Sequence, residues 1–207
     1  TAHQCSTVNP MPASQQTQLS RCDWCLSDVL YQHYHDSEWG VPCTEDQKLF
    51  EFLILESAQA GLAWITILRK RENYRRAFSD FRAERVARLN TRSIERLMCD
   101  SGIVRNKLKI KSAINNAQKF LEVQQQAGSF SNYLWGFVDG TAIQNHWLNL
   151  QQVPSTTPLS ETISKDMKQR GFQFFGKTIC YAYMQAIGMV NDHTVSCFRH
   201  GECQSQM

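Results

Sequence analysis

Cys22, Cys25, His33 and His35 stand near the beginning of the patterned chain, and His193 and Cys197 near its end. Thiolates and imidazoles are the ligands zinc favours, and four of them close a tetrahedron when the ion is structural. The His193-x-x-x-Cys197 spacing puts a nitrogen and a sulfur on one helix face, or across one turn, within reach of a single ion. A pair from each end would tie the two ends of the chain together. Metal binding of that kind contributes directly to folding, on the order of 10 kcal/mol in small domains. Spacing alone does not choose among Cys22, Cys25, His33 and His35.

A second set of residues surrounds one carboxylate. In the run from Phe50 to Trp64, Glu56 shares a helical stripe with Leu49, Phe52 and Leu53, whereas Glu51 points elsewhere. A carboxylate on a buried face without a partner is costly and shifts its own pKa upward. Such groups are usually kept for a partner or for chemistry. Trp64 follows the Gly61-Leu62 break, and Trp24, Tyr31 and Tyr34 offer further aromatic faces close to the thiols and imidazoles. Aromatic rings around a carboxylate suit a flat cationic guest, with cation–π attraction for the ring and an acceptor for its amine.

The third set is basic. Ser101-Gly-Ile-Val-Arg-Asn-Lys-Leu-Lys109 lies between two helical patterns, with Arg105, Lys107, Lys109 and Lys111 close together. A tight Gly102-Ile103-Val104 turn ahead of a helix is expected to present backbone N–H groups to a phosphate oxygen. The lysines and the arginine would then act as phosphate-positioning contacts.

The elements that must position these groups are almost all helical. Leu49 to Ala60, Trp64 to Phe78 and Ile94 to Met98 carry helical spacing, and Ile110, Ala113, Ile114, Ala117, Phe120 and Leu121 form a full apolar stripe. Thr157-Pro158 reads as an N-cap and first turn, and a last stripe runs from Ile179 to Val190. Period-two alternation is not sustained anywhere, so the fold class expected is all-α. Residues 1–20 are rich in Ser, Thr, Gln, Pro and Ala and are expected to form a disordered extension, and residues 201–207 a flexible tail. Cys99 and Cys180 fall inside helical patterns and read as buried small apolar residues. The net charge of +3 permits nucleic-acid binding without requiring it. The most apolar run, Leu49 to Leu68, is broken by Glu51, Glu56 and Gln59, so no membrane span is expected. The N-terminus shows no secretion signal, which makes a reducing cytoplasmic location the expectation and favours metal over disulfide.

Taken together, these segments resemble the bacterial 3-methyladenine DNA glycosylase I family from Arg21 to Cys197. The resemblance rests on Arg21-Cys-Asp-Trp24, Tyr34-His-Asp36, Glu38-Trp-Gly-Val-Pro42, Gln59-Ala-Gly-Leu62 with Trp64-Ile-Thr66, and Lys70-Arg-Glu-Asn-Tyr74. It continues through Gly102-Ile103, Arg170-Gly-Phe172, Thr178-Ile-Cys-Tyr181 and Val190-Asn-Asp-His193.

The resemblance implies a helix-hairpin-helix glycosylase fold, with residues 21–200 as one domain of two helical lobes around a base-binding cleft. It implies structural zinc on Cys22, His35, His193 and Cys197, with Cys25 and His33 outside the ligand set. It further implies that Glu56 holds the excised base in a pocket of Tyr34, Trp64, Tyr31 and Trp24. Gln59 and Leu62 would fill the gap left by a flipped nucleotide, and Gly102, Ile103, Arg105, Lys107 and Lys109 would contact the backbone of double-stranded DNA. The implied activity is hydrolytic excision of 3-methyladenine; no lysine is placed to form a Schiff base, so an abasic site without a lyase step is expected, and a monomer is the default expectation. The chain departs from the family pattern at Ser57-Ala58, where a Gly-Gln pair is expected, and at Leu108, where a glycine is expected in the hairpin.

Overall fold

The structure is a computed structural model and describes residues 19–205. It is built from helices α1 (Val29–Ser37), α2 (Asp46–Gln59), α3 (Trp64–Ala77), α4 (Ala83–Val86) and α5 (Thr91–Cys99). These are followed by α6 (Lys107–Ala127), α7 (Phe130–Trp135), α8 (Pro158–Gln169), α9 (Lys177–Ala186) and α10 (Phe198–Gln204). Two short strands, β1 (Ile143–Gln144) and β2 (Val190–Asn191), pair in parallel with Ile143 opposite Val190. No helix among the described residues is long and apolar enough to cross a membrane.

α2 is the centre of the core because it is apolar nearly all the way round, and such a helix must be covered on every side. Leu49, Phe50, Phe52, Leu53, Ile54 and Leu55 are all buried, and α3, α6, α7 and α9 pack around them. At its start, the Asp46 carboxylate accepts from the backbone N–H groups of Phe130 and Ser131, each at 2.8 Å, and so caps the first turn of α7. At its end the chain turns at Gly61, and the Lys109 ammonium donates to the carbonyls of Ala58 (2.8 Å) and Ala60 (2.6 Å). A lysine there pairs with the carbonyls a helix end leaves without partners.

α6 begins at the Asn106 cap, whose side chain accepts from Leu108 and Lys109, and it buries the expected stripe from Ile110 to Phe120. α8 starts on a reciprocal capping box between Thr157 and Ser160, with Pro158 in the first turn.

Several expectations need correction. Cys99 is exposed, while Cys180 is buried as read. The stretch expected to be a tail contains the end of α10, which continues to Gln204 and buries Cys203. Most of the expected N-terminal extension lies outside the described residues. Its last member, Ser20, is held, because its carbonyl accepts from the Phe198 N–H at 2.9 Å and so joins the two ends of the chain. Glu51 is also buried, contrary to its placement off the apolar stripe. Its oxygens meet Arg71 (2.7 Å), Arg75 (2.9 Å) and Lys48 (3.3 Å), so its charge is compensated.

Candidate active site

The two ends of the chain meet at four buried side chains. Cys22 precedes α1, His35 lies on α1, and His193 and Cys197 span the turn between β2 and α10 rather than a helix. Their ligand atoms all lie within 4.8 Å of one another. His35 Nε2 and His193 Nδ1 are 3.2 Å apart. The sulfur–nitrogen separations are 3.4 Å (Cys197 to His35), 3.6 Å (Cys197 to His193) and 3.7 Å (Cys22 to His193). A tetrahedron with zinc-like bond lengths has edges of about 3.3 Å between nitrogens and about 3.6 Å between nitrogen and sulfur. The four residues therefore fit one such ion.

The rings are oriented from outside. His35 Nδ1 faces Asp36 Oδ1 at 2.7 Å, and His193 Nε2 faces the Trp39 carbonyl at 3.0 Å. Both outer partners are acceptors, so both outer nitrogens carry the proton and both inner nitrogens present lone pairs. That is the arrangement metal-ligating imidazoles adopt. Asp36 is in turn gripped by the Arg21 guanidinium at 2.7 Å. Hydrogen bonding with Cys197 and the Thr194 amide lowers the Cys22 thiol to about 7. Gly40 lets the chain pass this cluster, because its φ of +78° is disfavoured for other residues and a Cβ there would meet His193 Nε2 at 2.8 Å. Cys25 is buried with its thiol donating to the Cys22 carbonyl at 3.1 Å, and neither it nor His33 belongs to the cluster.

Beside the cluster lies a cavity of about 240 Å³, lined by Trp24, Tyr34, Trp39, Glu56, Gln59 and Trp64 and closed by side chains from α9 and the loop after β1. Glu56 reaches it from the last turns of α2, Trp64 from the first residue of α3, and Tyr34 from α1. Three buried polar atoms here have no protein partner: Glu56 Oε2, the Tyr34 hydroxyl and Trp64 Nε1. One acceptor and two groups able to donate are thus left unpaired in one aromatic-walled cavity. Burial alone pushes the Glu56 carboxyl up to about 8, and burial likewise drives the Tyr34 hydroxyl well above its ordinary value. The Tyr34 and Trp64 rings are 5.6 Å apart and tilted by 53°. Trp24 packs edge-on against Trp39, Tyr31 and Tyr34.

Tyr31 is used differently. Its hydroxyl accepts from the Ile65 N–H at 2.9 Å, which fixes the start of α3, and its side chain does not line the cavity. Trp39, Leu150, Val153, Gln185, Asp192 and Thr194 line the cavity but were not identified as pocket residues from the sequence. Trp39 and Asp192 stand inside motifs that carried the resemblance, and that adjacency to His35 and His193 is the one signal that marks them. Leu150 and Val153 arrive from a distant loop, and no local pattern reveals them.

Gln59 lines the cavity, whereas Leu62 is not among its lining residues and stands 40% exposed just after the Gly61 turn. Three amides of the 101–106 turn, those of Gly102, Ile103 and Val104, already have protein partners, contrary to the expectation that they face a phosphate. Gly102 N–H donates to Asp100 Oδ1 (2.7 Å), Ile103 N–H to the Asp100 carbonyl (3.4 Å) and Val104 N–H to the Tyr74 hydroxyl (3.1 Å). Ile103 is buried, Arg105 and Lys107 are exposed, and Lys109 is turned inward onto α2.

A mostly helical fold, a two-cysteine two-histidine cluster able to hold a metal, and an aromatic cavity around a buried acid define a recognisable class. The model of the methyladenine glycosylase family matches residues 24–200, and the chain belongs to that family. It is 46% identical over 179 residues to DNA-3-methyladenine glycosylase 1 of Escherichia coli, covering 86% of this chain and 96% of that protein. It is 42% identical over 178 residues to DNA-3-methyladenine glycosylase of Haemophilus influenzae, covering 86% and 96%. Among solved structures it is similar to a 3-methyladenine DNA glycosylase I at a TM-score of 0.84 and 48% identity, covering 86% of this chain and 98% of that one. A structure of the Staphylococcus aureus enzyme, described as the basis of 3-methyladenine recognition, matches at a TM-score of 0.84 and 36% identity, covering 86% and 95%.

Proposed function

We propose that this protein is a DNA repair enzyme of base excision that hydrolyses the N-glycosidic bond of 3-methyladenine in alkylated double-stranded DNA. The observation that carries the reading is the set of unpaired polar atoms on Glu56, Tyr34 and Trp64 in an aromatic cavity. Buried polar groups are ordinarily satisfied, so an orphaned cluster points to a guest that completes it. A methylated adenine has the flat shape, the amine donor and the positive charge to do so, and family members are named for that base.

In this reading the damaged nucleotide leaves the stack, at a cost of a few kcal/mol that is least for a damaged base. Gln59 and Leu62 occupy the gap it leaves. Tyr34 and Trp64, with Trp24 beside them, hold the electron-poor ring, and Glu56 accepts from the amine. The base is cationic in DNA and leaves neutral, so the protein need not protonate it. The bonding pair departs with the base, and water adds at the sugar carbon and releases a proton. An abasic site results, and the strand stays intact. Arg105 and Lys107, exposed beside the Gly102 turn, steer the phosphate backbone through charge.

We infer zinc at Cys22, His35, His193 and Cys197, in a structural role. The opposed lone pairs of the two imidazoles support a cation there, and four protein ligands leave no position for a reacting water. The same reading takes the enzyme as a cytoplasmic monomer. Incubation with methylated duplex DNA tests the activity. Free 3-methyladenine should appear, and the strand should break only after alkali. A folded protein that releases no base would defeat the reading.

A further inference from the structure

Asp192 lines the same cavity as Glu56 and is 2% exposed, yet among the described residues no cation pairs with it. Instead four neutral groups point at its two oxygens. Oδ1 accepts from Asn145 Nδ2 (2.7 Å) and Trp147 Nε1 (2.8 Å), and Oδ2 accepts from the Tyr181 hydroxyl (2.7 Å) and Gln185 Nε2 (2.8 Å). The indole and the two amide nitrogens can only donate, and the tyrosine makes its one hydrogen bond here. A protonated carboxyl could find an acceptor only in the Tyr181 hydroxyl and would still face three groups that can only donate, so the shell is built for a carboxylate.

The contrast with the other buried acids gives this charge its meaning. Buried Glu51 is neutralised by Arg71 and Arg75, and half-buried Glu38 by Arg71 and Lys48. Burial favours the neutral form of Glu56 when the cavity is empty. Among the buried acids Asp192 alone combines a wall position in the cavity with a charge that no cation cancels; Asp23 also lines the cavity, but it is exposed and screened by solvent. All its lone pairs are occupied, so it cannot grip the guest by hydrogen bonds. It acts through its field, which is strong because the surroundings are poorly polarisable and the dipoles that hold it are fixed in advance.

We propose that Asp192 is the fixed negative charge of this pocket, selecting a flipped nucleotide that carries positive charge and stabilising that charge as it passes from base to sugar. The proposal rests on the cavity being a nucleotide site. It assigns the electrostatic role to Asp192 and leaves Glu56 the contact with the amine.

The test compares two duplexes, one with a protonated pyrrolidine in place of a deoxyribose and one with a neutral tetrahydrofuran. The native protein should bind the cationic duplex more tightly. Asp192→Asn should cut that preference by about tenfold or more while holding the neutral duplex nearly as well. Trp147→Phe removes one donor but keeps the charge, and should keep the preference. Glu56→Gln and Asp23→Asn should keep it too, which excludes the other two carboxyl groups of the cavity wall even if Asp192→Asn fails to fold. Loss of the preference in Glu56→Gln, or its survival in a folded Asp192→Asn, would overturn the proposal. Binding of neither duplex above undamaged DNA would instead overturn the nucleotide site itself.

Discussion

His35 Nε2 and His193 Nδ1 face each other at 3.2 Å, and each ring has spent its other nitrogen as a donor to a fixed oxygen. Two lone pairs at that distance repel unless a cation lies between them. If the cluster holds the proposed metal, removing it should therefore destabilise the fold and not merely an active-site contact. A chelator, or His193→Ala, should lower Tm by more than about 10 °C, as scanning calorimetry would read. An unchanged Tm in a protein shown to have lost its metal would contradict the structural role.

Gly40 is the point where backbone presses against that cluster. Gly40→Ala combines a φ of +78° with a Cβ only 2.8 Å from His193 Nε2. It should displace the imidazole and raise the rate at which a chelator extracts the metal by about tenfold, roughly 1.4 kcal/mol. A chromogenic chelator followed over time reads this directly.

Glu56 gives the fold a pH dependence of unusual sign. Its carboxyl is raised from 4.5 to about 8 by burial, so between those values the native state holds a proton that the unfolded chain has lost. Its penalty is nearly absent below about pH 4.5, grows as pH rises and levels off above about pH 8. Glu56→Gln removes the titration. Its Tm should nearly match the native protein at pH 5 and exceed it by roughly 10–15 °C at pH 8 to 9, a difference on the order of 4–5 kcal/mol.

The helices, the apolar stripe of α6 and the cap of α8 were legible because each is written in local spacing. So was the isolation of Glu56, a carboxylate among Leu49, Phe52 and Leu53. The four residues able to hold a metal were legible only as a group, since choosing His35 over His33 takes the family resemblance or the fold. What local pattern could not carry is long-range hydrogen bonding. Tyr31 and Lys109 look like a pocket wall and a phosphate contact until α3 and α2 are seen to need them. Asp192 is invisible as a charge centre because its four partners come from the loop after β1 and from α9.

That division among the basic residues is testable. Arg105→Ala and Lys107→Ala should weaken binding to any duplex and each reduce the slope of log affinity against log salt by about one. Lys109→Met should leave the slope unchanged and cost about 1–2 kcal/mol of stability, because the carbonyls of Ala58 and Ala60 lose their donor. Salt titrations by fluorescence anisotropy, with urea melts beside them, separate the two effects.

The most direct test is the single-turnover rate of base release from a duplex containing 3-methyladenine, measured for the native protein, Glu56→Gln and Tyr34→Phe. The unpaired polar atoms of the cavity are central to the account, so the native protein should release the base quickly and each variant should slow it by at least tenfold while remaining folded. Native-like release by both variants would show that the base is not held in this cavity and would contradict the account.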